Sequence, residues 1–392
     1  CENATRANSY ANILGPINNN LGHLMYAVLA IVGGAMAISG VTNLSLAGTG
    51  ALTLGGIAAF LQLSRNFIQP ISQVSQQLNS IVMAMAGAER IFELMDEKSE
   101  EDGGYVTLVN ARKDAQGNLI ETTEKTNLWA WRHPHQDGSV TLTELKGDVR
   151  LANVDFSYVP GKEVLHDVTV WAEPGQKVAF VGATGAGKTT MVKLLMRFHD
   201  LKSGRIYLDG KDITEFARGD LRKEFGMVLQ DTWLYSGTIM ENIRYGRLDA
   251  TDEEVIQAAK AAQVDHFVRT LPDGYNTILN EEATNVSQGQ KQLLTIARAI
   301  LSDSRIMILD EATSSVDTRT ELSIQTAMDN LMRGRTSFII AHRLSTIRNA
   351  DLILCMKDGD IVEQGTHEEL LAKNGFYANL YNSQFEHAEE SA

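Results

Sequence analysis

The chain has 392 residues, 35 basic and 49 acidic, for a net charge of −14 at neutral pH. That length has room for roughly two or three domains with proper cores, and the acidic balance counts against a protein that neutralises a nucleic-acid backbone. The two cysteines, Cys1 and Cys355, stand at opposite ends without zinc or redox spacing, which fits a reducing compartment.

Charge is distributed unevenly along the chain. Residues 7–64 contain no Asp, Glu, Lys or Arg; Arg65 interrupts the apolar stretch, and Glu89 is the next charge. Residues 21–42 and 44–63 each offer about 20 apolar-rich positions, and about 20 residues at ~1.5 Å per residue cross a ~30 Å hydrocarbon layer. Both carry glycine pairs, Gly33–Gly34 and Gly55–Gly56, which suit close helix packing in lipid. Two membrane spans are expected. A signal peptide would need a basic start ahead of one short apolar core.

Beyond the second expected span, Phe67, Ile71, Val74, Leu78, Ile81, Met85, Ala88 and Phe92 recur at steps of four and three. Gln73, Gln76, Gln77 and Asn79 lie between them. The spacing predicts a long amphipathic helix, bent at Pro70. It is either a generic bundle helix or a stalk leaving the membrane, and the stripe alone does not separate the two. The acidic run 96–102 with Gly103–Gly104 marks a boundary. Residues 105–146 then read as short alternating strands with a turn at Gln116–Gly117–Asn118. His133 and His135 in this segment have no third ligand beside them, so they are read as surface residues without a metal. From Asp148 onward strand-like and helix-like segments alternate, the pattern of an α/β domain with a largely parallel sheet. The expected domains are 1–100, 101–147 and 148–392.

The stretch 177–195, KVAFVGATGAGKTTMVKLL, holds the most specific local signal. Residues 178–181 read as a buried strand and residues 191–195 as the opening of a helix. Between them Gly182, Thr184, Gly185, Gly187, Lys188, Thr189 and Thr190 make a G-x-x-x-x-G-K-[ST] loop in strand–loop–helix context. The glycines let backbone N–H groups converge on phosphates at a helix N-terminus. Lys188 can reach the terminal phosphates, and the Thr189 hydroxyl can hold Mg²⁺. The stretch 304–317, SRIMILDEATSSVD, supplies the complement. Its apolar strand ends in Asp310, placed to position Mg²⁺, and Glu311, placed to accept a proton from attacking water. An apolar run ending in Asp-Glu is common by itself; paired with the phosphate loop it becomes a hydrolytic site. At 285–294, NVSQGQKQLL, Ser287 and Gln290 form a helix capping box. Gly289 inside that first turn costs about 0.5–1 kcal/mol relative to alanine, an expense that capping alone leaves unexplained.

Taken in order, these motifs over residues 154–385 resemble the ATP-binding cassette (ABC) exporter family. The implied fold class is an α-helical transmembrane segment, two spans plus a long cytoplasmic stalk helix, followed by an α/β P-loop NTPase. By that resemblance Tyr158 stacks on adenine and Gln230 senses Mg²⁺ and the membrane domain. Ser287, Gly289 and Gln290 form the signature, Asp317 belongs to the D-loop, and His342 is the switch histidine beside the γ-phosphate. The implied catalytic pair is Glu311 and His342, the Mg²⁺ ligands are Thr189, Gln230 and Asp310, and the nucleotide is ATP. Two such ATPase domains would sandwich two ATP molecules head to tail, each ATP facing the other subunit's signature; Gly289 would then let the backbone approach the partner's γ-phosphate.

The sequence departs from the family pattern at two places. The signature reads Val-Ser-Gln-Gly-Gln, with Gln288 where glycine is usual. The 105–146 segment is longer than the usual link and resembles that of one subunit of bacterial heterodimeric multidrug exporters. The implied partners are a second half-transporter, heterodimer favoured over homodimer, the lipid bilayer and a small amphipathic substrate, with no nucleic acid. The implied location is the bacterial plasma membrane, multi-pass, with the ATPase in the cytoplasm. The chain begins with Cys, and two spans are few for a transporter, so a preceding part with four further spans is expected. The alternative is a non-transport cassette ATPase acting on DNA or ribosomes, which the uncharged stretch opposes.

Overall fold

A computed structural model describes residues 2–45, 48–124, 126–280, 285–310, 317–340 and 347–389. The chain divides into two compact units, Cys1–Glu100 and Glu101–Ala392.

In the first unit, α1 runs Glu2–Ile38. Its Asn20–Ile38 part has a mean hydropathy of 1.9 and is long enough to cross a membrane. The second expected span does not form as the sequence suggested. The chain turns at Gly40, φ +67°, and then makes an antiparallel hairpin of β1 (Thr42–Ser45) and β2 (Gly48–Ala51). Helix α2 (Leu54–Met95) starts only after it. The cause is local: Thr42, Asn43, Ser45, Thr49 and the glycines around them are poor helix formers. Thr53 then caps α2, its hydroxyl accepting from the Gly56 N–H at 3.1 Å. Gln62, Ser64, Arg65 and Asn66 soon follow the apolar start of α2. Among the described residues, only α1 carries a window apolar enough to span. Helix α2 continues through Pro70, and Phe67, Val74, Ile81, Met85 and Phe92 on it are all more than half exposed.

The second unit opens with an antiparallel sheet of β3 (Thr107–Lys113), β4 (Leu119–Glu121), β5 (Trp129–Pro134) and β6 (Val140–Glu144), in the order β4-β3-β5-β6. Its anchor is Trp131, which is buried edge-on against Phe216 with ring centres 4.5 Å apart. The Trp131 Nε1–H donates to Asp209 Oδ2 at 3.1 Å. Asp209 also accepts from the backbone N–H groups of Lys146, Gly147 and Asp148 at 3.2, 3.0 and 3.0 Å. Burial pushes the Asp209 carboxyl above its usual range, and these donors work against that shift. His133, read from sequence as a surface residue, is buried instead. Its Nε2 lies 3.2 Å from Glu215 Oε2, while His135 Nε2 meets Thr141 Oγ1 at 2.7 Å.

The chain continues through β7 (Val149–Phe156), β8 (Leu165–Ala172), β9 (Lys177–Val181), α3 (Lys188–Leu195), β10 (Ser203–Leu208), β11 (Lys211–Asp212), α4 (Arg218–Lys223) and β12 (Phe225–Val228). A mainly helical stretch follows: β13 (Gly237–Thr238), α5 (Ile239–Arg244), α6 (Asp252–Ala261), α7 (Asp265–Thr270), β14 (Ile278–Leu279) and α8 (Gln288–Ser302). Then come β15 (Ile306–Asp310), α9 (Thr318–Met332), β16 (Thr336–Ile340), β17 (Leu352–Lys357), β18 (Asp360–Gly365), α10 (His367–Ala372) and α11 (Phe376–Glu389). Strands β11-β10-β7-β8 form an antiparallel sheet, and β12-β15-β16-β9-β17-β18 form the central one, parallel except for its last pair. The run Ile306–Leu309 and all of β16 are buried, as expected for inner parallel strands covered on both faces. The two buried polar residues there are satisfied: Thr336 Oγ1 donates to the Gly147 carbonyl at 2.7 Å, and Ser337 Oγ to that of Arg335 at 3.2 Å.

Glu224, at the end of α4, is 6% exposed. Burial pushes its carboxyl up to about 7, against the opposing pull of Arg305. The folded value lies above the unfolded one, so the folded state binds more protons in the window between them. Its contribution is therefore lost as pH rises from about 4.5 to 7, by roughly 3 kcal/mol in all. Glu224→Gln should abolish that slope and raise the melting temperature at pH 8 by about 3–6 °C, with little change at pH 5. Melting curves across pH check this; a variant that keeps the wild-type slope contradicts it.

Candidate functional site

The parallel register gathers the chemistry at one edge of the central sheet. Val228 of β12 pairs with Leu309 of β15, Asp310 with Ile340 of β16, and Ile340 with Phe180 of β9. The loops that follow these strands therefore leave side by side, at the carboxyl ends where open α/β sheets bind ligands. Gly182 begins one of them, Gln230 lies just past β12, and Asp310 ends β15.

The loop after β9 is held very close to the chain leaving β17. A Cβ on Gly182 would lie 2.2 Å from the Met356 carbonyl oxygen, so no other residue fits without moving backbone. Gly187 caps α3 at φ +102°, a conformation that side chains disfavour. Helix α3 thus begins directly from the loop, with Lys188 its first residue. Lys188 is buried, and its Nζ donates to the carbonyls of Gly182 and Ala183 at 2.6 and 3.0 Å. Burial pulls its ammonium below the ordinary lysine range, and the Asp310 carboxylate partly restores it. Thr189 and Asp310 line one cavity of about 350 Å³. A hydroxyl and a carboxylate facing the same space are the hard oxygen donors that suit Mg²⁺.

Tyr158 is 48% exposed, and its hydroxyl lies 3.1 Å from Thr190 Oγ1. Its ring stands edge-on to Phe156 and His199, with centres 4.9 and 5.2 Å apart, and Lys193 Nζ lies 5.8 Å from its centre. His199 and Lys193 were missed in the sequence because no motif marks them. Both also line the cavity of Thr189 and Asp310.

The capping box at α8 forms as read. The Gln290 N–H donates to Ser287 Oγ at 3.3 Å, and the Ser287 N–H to Gln290 Oε1 at 2.8 Å. Gly289 is buried in that first turn. Gln288, the unusual signature residue, donates from Nε2 to Thr232 Oγ1 at 3.2 Å. Further along α8, Arg298 donates to the Trp233 and Asn242 carbonyls at 3.1 and 2.9 Å. Two contacts thus fasten the loop after Gln230 to α8, neither visible in the sequence. Gln230 itself is exposed. Asp317 caps α9, and the hydrogen bonds from Thr320 hold its carboxyl below the usual range. Thr184 and Gly185 are exposed at the tip of the phosphate loop. Glu311 and His342 lie outside the described residues.

Residues 165–314 match the family described as ABC transporter. The chain is 47% identical over 370 residues to the fatty acid ABC transporter ATP-binding/permease protein of Mycobacterium bovis (strain ATCC BAA-935 / AF2122/97), covering 94% of this chain and 52% of that protein. The chain is similar to ABC transporter proteins of the ATP-binding/permease type along nearly its whole length. It is also 39% identical to the ATP-dependent lipid A-core flippase of Legionella pneumophila (strain Lens), over 90% of this chain and 54% of the flippase. A solved bacterial Atm1-family ABC exporter with ATP bound is similar in structure, with a TM-score of 0.61 and 32% identity. That likeness covers 97% of this chain and 61% of the solved one. The chain thus spans about half the length of the curated relatives it matches.

The contact between Gly182 and Met356 yields a direct test. Gly182→Ala should lower stability by ~1–3 kcal/mol through the backbone clash and weaken ATP binding by at least about tenfold. Nucleotide titration alongside denaturant unfolding measures both. An alanine variant with wild-type affinity would show that the loop does not depend on this contact.

Proposed function

We propose that this chain is the ATP-binding and hydrolysing part of an ABC exporter that moves lipids, fatty acids or similar amphipathic molecules across the bacterial plasma membrane. The observation that carries the proposal is the junction at the sheet edge. The phosphate loop, Lys188, Thr189 and Asp310 meet there, in a chain that also carries a membrane-length apolar helix.

In this reading ATP lies with its adenine on Tyr158 and its phosphates on the backbone N–H groups of residues 182–190. Lys188 exchanges its loop carbonyls for phosphate oxygens; its burial makes that charge strong where it is needed. Thr189, Asp310 and Gln230 would hold Mg²⁺, which neutralises charge on the phosphate oxygens when bound. Glu311 accepts the proton of the attacking water, and His342 orients the γ-phosphate. The start of α8, with Ser287, Gly289 and Gln290, faces ATP held by a second half-transporter, and Asp317 lies at the same junction. A heterodimeric partner is favoured, because the 105–146 segment resembles one subunit of such pairs. The exposed apolar side chains of α2 are then covered by lipid or by other helices of the assembly.

Substrate transport into proteoliposomes by the full-length complex tests this reading. Glu311→Gln should reduce ATP-driven movement by about 100-fold or more while ATP still binds. Movement at the wild-type rate in that variant would refute the assignment.

A further inference from the structure

One charge in the first unit has no part in nucleotide chemistry. Arg65 is the sole Asp, Glu, Lys or Arg between residues 7 and 88, and its guanidinium carbon lies 4.4 Å from the centre of the Tyr26 ring. Its depth follows from helix register. Gly33 of α1 faces Ile57 of α2, at 3.3 Å from where a Cβ would stand. The contacts Gly33–Ile57 and Tyr26–Arg65 are about two turns apart along each helix, in opposite directions. The helices therefore run antiparallel, and Arg65 lies level with Tyr26. Tyr26 is inside the Asn20–Ile38 membrane window, roughly 9 Å from its Asn20 end at ~1.5 Å per residue.

A guanidinium at that depth is costly unless something offsets its charge. The Tyr26 ring offsets part of it through a cation–π contact. A carboxylate of α1 or α2 cannot, because residues 7–88 contain none and Glu2, Glu89 and Glu93 lie many turns away along the helices. The surroundings are polar nonetheless. Gln62 and Asn66, which bond each other at 3.5 Å, flank Arg65 on α2, and His23 precedes Tyr26 by about one turn of α1. Around this polar island the helices expose apolar side chains, among them Leu24, Val28, Phe60 and Leu63.

We propose that Arg65 is the anion-recognition residue of the transport path. It holds the carboxylate or phosphate head group of an amphiphile whose tail lies along the apolar surfaces of α1 and α2. A guanidinium fork suits both head groups, since each offers paired oxygens for two parallel hydrogen bonds. This assignment rests on the export reading, and it narrows the substrate class to anionic amphiphiles.

The test measures binding without nucleotide, in the full-length complex reconstituted into zwitterionic nanodiscs. The probes are cis-parinarate and its methyl ester, which share a fluorescent tail and differ in charge. Wild type should bind the acid at least about tenfold more tightly than the ester. Arg65→Gln should bring the two within about twofold, with ester binding retained, and Arg65→Lys should keep a several-fold preference for the acid. Arg65→Met serves where Arg65→Gln does not fold. Displacement by hexadecyl phosphate against palmitate then tells a phosphate from a carboxylate preference. A wild type that binds ester and acid alike overturns the proposal. So does an uncharged variant that keeps the wild-type ratio, the result expected if Arg65 pairs with an acid elsewhere in the assembly. Because no ATP is present, either outcome stands apart from the Glu311→Gln transport assay.

Discussion

The nucleotide cleft depends on how closely the chain leaving β9 passes the chain leaving β17. At Gly182 the gap admits no side chain, because a Cβ there would lie 2.2 Å from the Met356 carbonyl oxygen. That contact fixes the start of the phosphate loop against the middle of the sheet. Gly187 then turns the loop into α3, and the first residue of the helix is the buried Lys188. A phosphate approaching that helix end meets N–H groups, a helix dipole and one cation in a fixed arrangement. The lysine is held by two carbonyls of its own loop, so the site is shaped ahead of its ligand.

The parallel register extends this arrangement sideways. Because β12, β15, β16 and β9 end together, Asp310 reaches the cavity of Thr189, and the segment with Gln230 leaves beside it. That segment is in turn tied to α8, by Gln288 near its start and by Arg298 further along. The region proposed to sense the nucleotide and the one proposed to face a partner's nucleotide are thus joined by hydrogen bonds within one chain. Gly289 is buried in the first turn of α8, inside the capping box of Ser287 and Gln290.

How much of this was legible in the sequence depends on the range of each interaction. The phosphate loop and the Ser287–Gln290 box were legible because their physics is settled within a few residues. Strands β3 to β6 were legible as strands from alternation and the turn near Gly117. Their anchorage was not, because Trp131 meets Asp209 across 78 positions and His133 meets Glu215 across 82. The second span was misread for another reason: an average over residues 44–63 hides Ser45 and Thr49, which with Thr42 and Asn43 just ahead favour a hairpin. The departure at Gln288 was visible, but its partner Thr232 was not. Lys193 and His199 approach Tyr158 only once α3 is folded.

The central claim is that the loop from Gly182 to Thr190, with Asp310, holds a magnesium nucleotide. Calorimetric titration of the purified full-length protein with ATP, with and without Mg²⁺, tests it most directly when wild type is compared with Lys188→Met. The account predicts that Mg²⁺ tightens wild-type binding and that the variant binds at least about tenfold more weakly in both conditions, the loss expected when a buried cation facing phosphate is removed. Equal affinity in the two proteins, or wild-type binding indifferent to Mg²⁺, would contradict it.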